Sequence, residues 1–279
     1  NFNKYWRIMK LIDCFMYFDE DLMTDIRLNI LNSHVDRFVI AEATMDHAGN
    51  KKKLNFDINK FKKFEKKINY IVVDDLPKDV KKFKKNWSSA HVRDQFQRNA
   101  LERGYADCSD EDLIMISDLD EIPRPEKIKE FEIKNKYACF VQKDFQIKLN
   151  LHNTTLPDWG GTKICQRKNL KSPQWLRSIK IKKYPFWKFY KPKLPQLIYD
   201  GGWHFSFVKT PEKISQKLTS YAEQQWNNEK YNDISKIKER IDNKKDLLGR
   251  DFEYKQIEID DTFPKYIREN REKLKKFIL

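Results

Sequence analysis

The sequence predicts an α/β fold with a mostly parallel central sheet flanked by helices. In the first half of the chain, apolar runs rich in branched and aromatic residues alternate with segments of helical periodicity. Because parallel strands need a crossover helix between them, this alternation indicates a sheet covered on both faces. Hydrophobic residues make up 39% of the 279 positions, enough for a substantial core, and the presence of only 7 glycines argues against a glycine-rich repeat fold. We therefore expect one globular domain.

The elements of the first half are assigned from the amino-terminus onward. An apolar run at 7–18 predicts the first strand, and Asp19 is placed to cap the helix that follows it. The pattern then predicts a strand at 36–44, a helix at 60–67, a strand at 68–77, a helix at 88–106 and a strand at 112–120. Each strand in this series is followed by enough chain for a crossover connection.

The second half is less regular. A long strand is predicted at 137–150, and the next segment, 151–196, has the tryptophan, proline and lysine content of loops with short elements. A short strand is predicted at 200–208, behind a Gly-Gly turn. From Thr210 onward the pattern is largely helical, with proline in the first turn of the helix.

Three acids crowd the end of the fourth strand, in the stretch ISDLDEIPRP. In an extended segment Asp118 and Asp120 point to one side, while Leu119 between them faces the core. Open α/β sheets bind ligands at the carboxyl ends of their strands. Two carboxylates aimed at one point, with no basic residue immediately beside them, indicate a site for Mg²⁺ or Mn²⁺. Glu121 is expected to orient the site from behind.

A structural interpretation of the same acids remains open. They fit a solvated turn in which Asp118 caps a helix that begins near Pro125. A bare Asp-x-Asp pair arises often by chance, and only its place after a fully apolar strand favours the metal site.

Several stretches of the chain together carry a resemblance to a known family. They are IDCFMYFDEDLMTDIRLNIL, VDRFVIAEATMDHAG, QRNALERG, ISDLDEIPRP, GGWHFSF and FPKYIREN. They resemble, in order and over nearly the whole chain, the family of β-1,4-mannosyl-glycoprotein β-1,4-N-acetylglucosaminyltransferase, which adds bisecting N-acetylglucosamine. The bacterial and viral type of soluble member is the more similar.

This resemblance implies a GT-A-like, Rossmann-like glycosyltransferase that is metal-dependent and inverting. It implies UDP-GlcNAc as donor, a glycan hydroxyl as acceptor, and Mn²⁺ or Mg²⁺ as cofactor. We expect residues 1–123 to form the half that binds the nucleotide sugar, and residues 124–279 to form the acceptor-side half with the carboxy-terminal helices. The alternative function is a metal-dependent nucleotidyltransferase or phosphodiesterase acting on nucleotide sugars.

His204, in GGWHFS, is the candidate third metal ligand beside Asp118 and Asp120. Similar transferases often take a ligand from a late strand, and Gly201 and Gly202 allow the backbone to approach closely. The alternative is a histidine packed between its aromatic neighbours.

An inverting transfer also needs a general base to take the acceptor proton. Asp158, in LPDWGGTK, and Asp200, in YDGGWH, are the candidates, since the other acids between Glu121 and His204 fall on a predicted surface helix or inside a strand. Asp158 is preferred because the adjacent Trp159 offers a face on which a sugar can stack. Simple turn chemistry also explains both aspartates.

Further residues are predicted to contact the donor. Asp13 and Glu42 belong to the first two strands, and Glu42 could bind ribose or uracil or form a salt bridge with Arg98. By resemblance, Arg98 and Asn99 look like donor-pocket residues, with a polar helix face as the alternative. Lys163 and Arg167 could contact the diphosphate or an anionic acceptor. For Lys163 the alternative is an ordinary position on the surface.

The net charge of +14 favours anionic partners, but lysines are spread along the whole chain and no nucleic-acid-binding motif is visible. We therefore expect no nucleic-acid partner. The basic, apolar segment at 264–279 is a candidate for peripheral contact with an anionic membrane carrying a lipid-linked acceptor, with packing on the core as the alternative. Four dispersed cysteines, no signal-peptide pattern and no N-terminal anchor of the eukaryotic kind predict a cytoplasmic protein with free thiols.

Overall fold

The computed structural model describes residues 9–78, 89–188, 190–220 and 223–279. Residues 7 and 8 of the predicted first strand and residue 88 of a predicted helix lie outside these ranges. The β-strands are β1 (Leu11–Met16), β2 (Arg37–Ala43), β3 (Ile68–Val73), β4 (Leu113–Ile116), β5 (Glu121–Pro123), β6 (Tyr137–Gln146), β7 (Leu151–Asn153), β8 (Asp158–Gln166), β9 (Gln196–Ile198), β10 (Gly202–Ser206) and β11 (Tyr254–Gln256). The α-helices are α1 (Asp21–Leu31), α2 (Ser89–Ala100), α3 (Pro125–Ile128), α4 (Pro173–Arg177), α5 (Pro211–Ser220), α6 (Ile234–Asp242), α7 (Lys265–Glu269) and α8 (Arg271–Leu274).

The predicted α/β fold is confirmed. Strands β3, β2, β1 and β4 lie side by side and run parallel, while β8 pairs antiparallel with β4 and β6 pairs antiparallel with β8. β7 and β11 continue the sheet, and β10 pairs parallel with β6 and antiparallel with β5. The sheet is therefore parallel in the first half of the chain and mixed in the second.

The sheet is covered on both faces, as the alternating residues of β1 show. Leu11 and Phe15 belong to a core with α1 and the carboxy-terminal helices, whereas Ile12 and Cys14 belong to a second core on the opposite face. A smaller apolar cluster joins α5 and α6 to the sheet beyond β6. Successive strand residues point to opposite faces, so a two-sided core requires the uninterrupted apolar runs seen in the sequence.

Several predicted elements differ from the structure. The strand predicted at 112–120 ends at Ile116, so Asp118 and Asp120 lie in the turn after it rather than in an extended segment. The predicted helix at 60–67 is a 3₁₀ helix at Ile58–Lys67, whose buried residues Phe61 and Phe64 lie three positions apart, the period of that helix. The long predicted strand stops at Gln146, because Ile147 takes a positive φ of 71°. The predicted loop around Asp158 is instead the start of β8, paired with Lys143 of β6.

The carboxy-terminal segment packs on the core. Ile267 and Leu274 are fully buried, and Tyr266 and Lys273 bind the carboxylate of Asp25 on α1. Most of its apolar side chains are buried or half-buried, although Leu279 is exposed, so the alternative of core packing describes this segment. Within the described ranges, no helix combines the length and the apolar character needed to cross a bilayer.

Arg27 connects three parts of the fold through its buried guanidinium. It forms a two-point ion pair with Asp13 of β1, with distances of 2.6 and 2.8 Å. Its remaining hydrogen bonds go to Ser117 Oγ and to the carbonyl oxygens of Asp118, Leu119 and Glu121, at 2.6–3.2 Å. Arg27 and Asp13 have no exposed side-chain surface. A single arginine of α1 therefore fixes the turn that follows β4.

Lys163 of β8 is buried inside the sheet. Its ammonium group donates a hydrogen bond to the carbonyl oxygen of Arg177 at the end of α4. Burial, and then the charge of Arg177, lower the pKa of Lys163 to about 8. This lysine holds α4 against the sheet and is not placed to reach a ligand in solution.

We expect Arg27→Met to lower the free energy of unfolding by about 3–5 kcal/mol, because Asp13 would stay buried without its partner charge. Urea denaturation followed by circular dichroism measures the loss. The control is Arg103→Met, which removes a two-point ion pair with Asp75 at the surface and should cost about 1 kcal/mol or less. Equal losses in the two variants would contradict a structural role for Arg27.

Lys163 should make stability depend on pH. Its folded pKa lies below its usual value, so between pH 8 and the unfolded pKa the unfolded chain binds more protons and stability rises with pH. We subtract the free energy of unfolding of Lys163→Met from that of the parent protein. This difference should increase by about 1 kcal/mol from pH 7 to pH 9. Denaturation at both values tests this, with Lys168→Met as an exposed control. A pH-independent difference would contradict it.

Candidate functional site

A cavity of about 640 Å³ opens where the order of the parallel strands reverses. The order β3-β2-β1-β4 runs outward in both directions from β1, so the carboxyl ends of β1 and β4 flank a topological switch point. Tyr17 and Asp19 follow β1 into the cavity wall, and Asp118 and Asp120 follow β4. The opposite wall is built by residues 204–210 and by α5. Both halves of the chain therefore contribute to the cavity.

Two arginines bind the carboxylate of Asp118 and balance its negative charge. Its Oδ1 accepts a hydrogen bond from Arg98 Nη2 at 3.1 Å, and its Oδ2 accepts one from Arg177 Nη2 at 2.9 Å. Although burial opposes ionisation, Arg177 and then Arg98 hold the pKa of Asp118 far below its usual range. The premise that no basic group lies beside the two aspartates is therefore wrong. Asp118 is therefore an ionised partner of two arginines, and its role as a metal ligand stays a prediction.

Glu121 supports this arrangement from inside the protein. It is fully buried, and its Oε1 accepts hydrogen bonds at 2.7 Å from both Arg177 and Trp159 Nε1. Its Oε2 accepts the backbone N–H of Asp118. Burial, with the neighbouring charge of Asp118, raises the pKa of Glu121. The sequence-based expectation that Glu121 shapes the turn matches these contacts.

Asp120 faces His204 across the cavity floor. Asp120 Oδ1 lies 3.9 Å from His204 Nε2, and the backbone carbonyl of Asp120 accepts a hydrogen bond from Phe205 N at 2.9 Å. The close pairing of β10 with β5 brings this about, since a Cβ on Gly202 would lie 2.1 Å from the carbonyl oxygen of Ile122. With a φ of 141°, Gly202 also adopts a conformation that side chains disfavour.

The imidazole of His204 is fixed in orientation. Its Nδ1 lies 2.7 Å from Asp144 Oδ1, and Asp144 is itself held by Asn153 and Gln146. Trp159 stacks on the ring, with centroids 4.5 Å apart and planes at 17°. The hydrogen bond to Asp144 and the charge of Asp120 raise the pKa of His204 against the effect of burial. A carboxylate behind a histidine nitrogen is the usual support of a metal-binding imidazole.

The pair formed by Asp120 and His204 fits a divalent cation in part. Carboxylate oxygen and imidazole nitrogen are both donors that Mn²⁺ accepts. Within the described part of the chain, no group of three or more His, Cys, Asp and Glu side chains is arranged around one metal position. The protein thus offers two donors, and Mg²⁺-like cations commonly complete their coordination with water and substrate phosphates.

Lysines surround the open side of the cavity. Lys209 forms ion pairs with Asp19 and Glu20, and Lys213 lies 2.9 Å from Asp19. Lys217 Nζ lies 3.8 Å from Asp120 Oδ2. Although burial opposes it, the charges of Lys209 and Lys217 lower the pKa of Glu20 to about 2. The sequence did not single out these lysines, which stand on and before α5.

Two of the predicted donor residues serve the fold. Asp13 is the buried partner of Arg27. Glu42 is also fully buried and binds Tyr70 OH, Lys52 and the backbone N–H groups of residues 55 and 56. The alternative salt bridge between Glu42 and Arg98 is wrong, because Arg98 instead binds Asp94, Asp118 and Gln174.

Of the other residues predicted to bind the donor, Arg98 lines the cavity. Three do not line it, namely Asn99, Lys163 and Arg167. Asn99 accepts a hydrogen bond from Gln174 N and so joins α2 to α4. Lys163 is buried beneath Arg177, as described above. Arg167 lies 3.5 Å from Glu102 and over the ring of Tyr105.

Neither candidate base lines the cavity. Asp158 is exposed at the start of β8, beside Trp159, whose ring does form part of the wall. Asp200 takes a positive φ of 49° and forms an ion pair with Arg124 at 2.9 Å. Of the two, Asp158 lies next to the cavity along the chain.

Sequence reasoning did not assign roles to Arg27, Arg177 and Asp144. Arg27 interrupts the apolar face of a helix, and such a buried charge requires a partner. Asp144 lies in the middle of a predicted strand, and this position argued against a role as base. Both irregularities are visible in the sequence, whereas Arg177 stands in a region where no pattern marks it.

Comparison with known proteins places the chain in a family. The model of glycosyltransferase family 17 matches residues 2–275. No curated protein matches the sequence. A structure of Mycobacterium tuberculosis glucosyl-3-phosphoglycerate synthase in complex with Mn²⁺, UDP and phosphoglyceric acid is similar at 10% identity and a TM-score of 0.39, covering 96% of this chain and 94% of that chain. Residues 1–349 of S. aureus TarS are similar at 12% identity and a TM-score of 0.37, covering 75% and 63%.

These findings correct the narrower resemblance drawn from the sequence. The matching model is that of family 17, and the similar structures are glucosyl-3-phosphoglycerate synthase and TarS rather than a bisecting N-acetylglucosaminyltransferase. At these TM-scores the similar structures carry no argument about this site. With its mixed, largely parallel sheet and a match over residues 2–275, the chain belongs to glycosyltransferase family 17, a family of GT-A fold.

Proposed function

We propose that this protein transfers a sugar, with inversion, from a UDP-sugar to a hydroxyl group, and that Asp120 and His204 hold the Mn²⁺ or Mg²⁺ ion it needs. One observation carries the proposal. A carboxylate and an oriented imidazole face each other 3.9 Å apart at the switch point of the sheet, inside a cavity large enough for a nucleotide sugar. Membership of family 17 supports sugar transfer over the alternative nucleotidyl transfer.

The chemistry can be assigned to the chain's own residues. Asp120 supplies a carboxylate oxygen and His204 supplies Nε2, while Asp144 keeps Nδ1 occupied so that Nε2 points inward. When bound there, the cation would stabilise the negative charge on the departing diphosphate as a Lewis acid. Lys217 stands beside Asp120 and adds positive charge on the same side.

Arg98 and Arg177 act through Asp118 in this proposal. They hold its carboxylate still and balance its charge, so that the second carboxylate of the turn, Asp120, carries the negative charge available to a cation. The metal-ligand role of Asp118 is therefore not part of the proposal. Its place in the cavity wall keeps it within the donor-binding surface.

The acceptor step needs a base, and we keep Asp158 for that role. The base takes the proton of the acceptor hydroxyl, the hydroxyl oxygen bonds to the sugar C1, and the bond from C1 to the diphosphate oxygen breaks to release UDP. Trp159 lines the cavity and is 39% exposed, which leaves an apolar surface against which a sugar ring can stack. Residues 1–123 would then supply most of the donor side, and residues 124–279 would supply the acceptor side together with the metal ligand His204.

We propose that the donor is a UDP-sugar, and we do not assign the sugar itself. UDP-GlcNAc, which the sequence-based resemblance implied, is one candidate to be screened beside UDP-glucose and UDP-galactose. The acceptor is proposed as a hydroxyl of a glycan or of another sugar-bearing molecule. The products decide between functions, since transfer or slow hydrolysis releases UDP, whereas a phosphodiesterase releases UMP and a sugar phosphate.

We expect Asp120→Asn and His204→Gln each to weaken Mn²⁺ binding in the presence of UDP by about tenfold or more, and to remove UDP release from the best donor in the screen. Each variant loses one of two protein donors while the fold is retained. Calorimetric titration measures the affinity, and chromatography of the nucleotide measures the release.

The controls are Asp261→Asn and His34→Gln, which change exposed residues remote from the cavity lining. Both should behave as the parent protein does. Parental Mn²⁺ affinity in Asp120→Asn and His204→Gln would exclude this pair as the metal site, and UMP as the main product would exclude sugar transfer.

Asp158→Asn should lower the rate of transfer by about 100-fold or more while UDP binding stays unchanged, because a lost general base affects the chemical step. Asp200→Asn is the matched control. It weakens an ion pair with Arg124 outside the cavity and should leave the rate within about threefold of the parent, a change of less than 1 kcal/mol. A normal rate in Asp158→Asn would reject Asp158, and a loss confined to Asp200→Asn would identify the other aspartate.

A further inference from the structure

A basic aromatic loop, residues 180–188 and 190–194, stands out on the surface between α4 and β9. Six lysines occur within it, at positions 180, 182, 183, 188, 191 and 193, and no acidic residue occurs from 178 to 199. The excess positive charge that is spread thinly over the rest of the chain is concentrated here. A local charge of this size attracts an anionic partner.

The loop also exposes large aromatic rings. Phe186 is 90% exposed, Trp187 is 62% exposed and Tyr190 is 67% exposed, and the rings of Phe186 and Trp187 lie edge to face at 5.2 Å. Single exposed apolar residues are ordinary on protein surfaces, but a contiguous group of them marks an interaction site.

The loop makes few contacts that would explain its composition. None of its six lysines forms an ion pair with a described residue. Lys182 and Lys191 lie over the rings of Tyr184 and Tyr190 in the loop itself, at 5.9 and 5.3 Å. The contacts that tie it to the sheet stand at its two ends, where Ile181 packs on Gly160 and Tyr137 OH donates to the carbonyl oxygen of Lys193. The middle of the loop is thus directed at solvent.

We propose that this loop binds the surface of an anionic membrane. Exposed tryptophan and phenylalanine enter the boundary between headgroups and acyl chains, while lysines keep their ammonium groups at the level of anionic headgroups. The carboxy-terminal segment is less suited to this role, because its apolar residues Ile267 and Leu274 are buried in the core.

A single-stranded nucleic acid is the rival partner for lysines mixed with aromatic rings. Such proteins hold stacking rings along a positively charged groove that follows the backbone of the strand. Here the rings project from an irregular, proline-containing loop, and Phe186 is exposed almost on all sides. This shape suits insertion into a lipid surface.

Membrane binding would bring the cavity close to the bilayer. The loop begins three residues after Arg177, which binds Asp118, and Ile181 packs on Gly160 beside Trp159 of the cavity wall. A sugar acceptor embedded in the membrane would therefore be presented near the transfer site. The membrane proposal itself does not depend on the proposed function, since it is tested without any sugar nucleotide.

Flotation of the full chain with phosphatidylcholine vesicles, with and without phosphatidylglycerol, tests the proposal. We expect binding to the anionic vesicles, little binding to the neutral ones, and loss of binding at high salt. The double variants Phe186→Ser/Trp187→Ser and Lys188→Gln/Lys191→Gln should each lower the partition coefficient by about tenfold or more.

The matched control is Lys265→Gln/Lys275→Gln, which removes two exposed lysines of the carboxy-terminal segment and should float as the parent does. The loop variants should keep the far-UV circular dichroism spectrum and the melting temperature of the parent protein, which shows that they fold. The proposal is overturned if the parent protein does not float with anionic vesicles, if the loop variants float as well as the parent, or if the loop variants lose binding to a single-stranded RNA oligomer while vesicles are not bound.

Discussion

The turn that carries the candidate site depends on one buried ion pair, between Arg27 of α1 and Asp13 of β1. The guanidinium has donors left over after Asp13 is satisfied, and these bind Ser117 and three carbonyl groups of the turn after β4. Carbonyl groups at a strand end would otherwise need a hydrogen bond from water or from another N–H or O–H donor. Burying a charge here is costly, and the complete set of hydrogen bonds offsets that cost while it fixes one conformation of the turn.

Because the turn is fixed, the two aspartates within it have different partners. Asp118 meets Arg98 and Arg177, which keep it ionised and immobile, whereas Asp120 is directed to His204 and Lys217. The carbonyl of Asp120 bonds to β10, so the acid and the histidine are positioned by adjacent backbone contacts. A rigid pair of donors costs little reorganisation when a ligand binds, which is the condition for strong electrostatic stabilisation.

Much of the fold and part of the site could be predicted from the sequence. The apolar runs that became β1, β2 and β4 give a clear signal, because both faces of those strands are buried, whereas β3 at the edge of the sheet is mostly half-buried. Asp118, Asp120 and His204 line one cavity, as the sequence led us to expect. The first two follow β4 and the third lies on β10, and both strands could be recognised in the sequence. The pairing of Asp118 with Arg177 could not be foreseen, since it joins residues 59 positions apart through an irregular segment. Glu42 and Lys163 were predicted to contact the donor, but both are buried. A charged residue looks available in a sequence, and only the packing of the folded chain shows that it is buried.

The central claim is that Asp120 and His204, rather than the two aspartates together, hold the metal ion of a UDP-sugar transferase. Anomalous X-ray diffraction from a crystal of the protein grown with Mn²⁺ and UDP tests it most directly. The account predicts one manganese peak within coordinating distance of Asp120 and His204 Nε2, with the diphosphate completing the coordination and Asp118 still bonded to its arginines. A peak ligated by Asp118, or a diphosphate bound elsewhere, would contradict it.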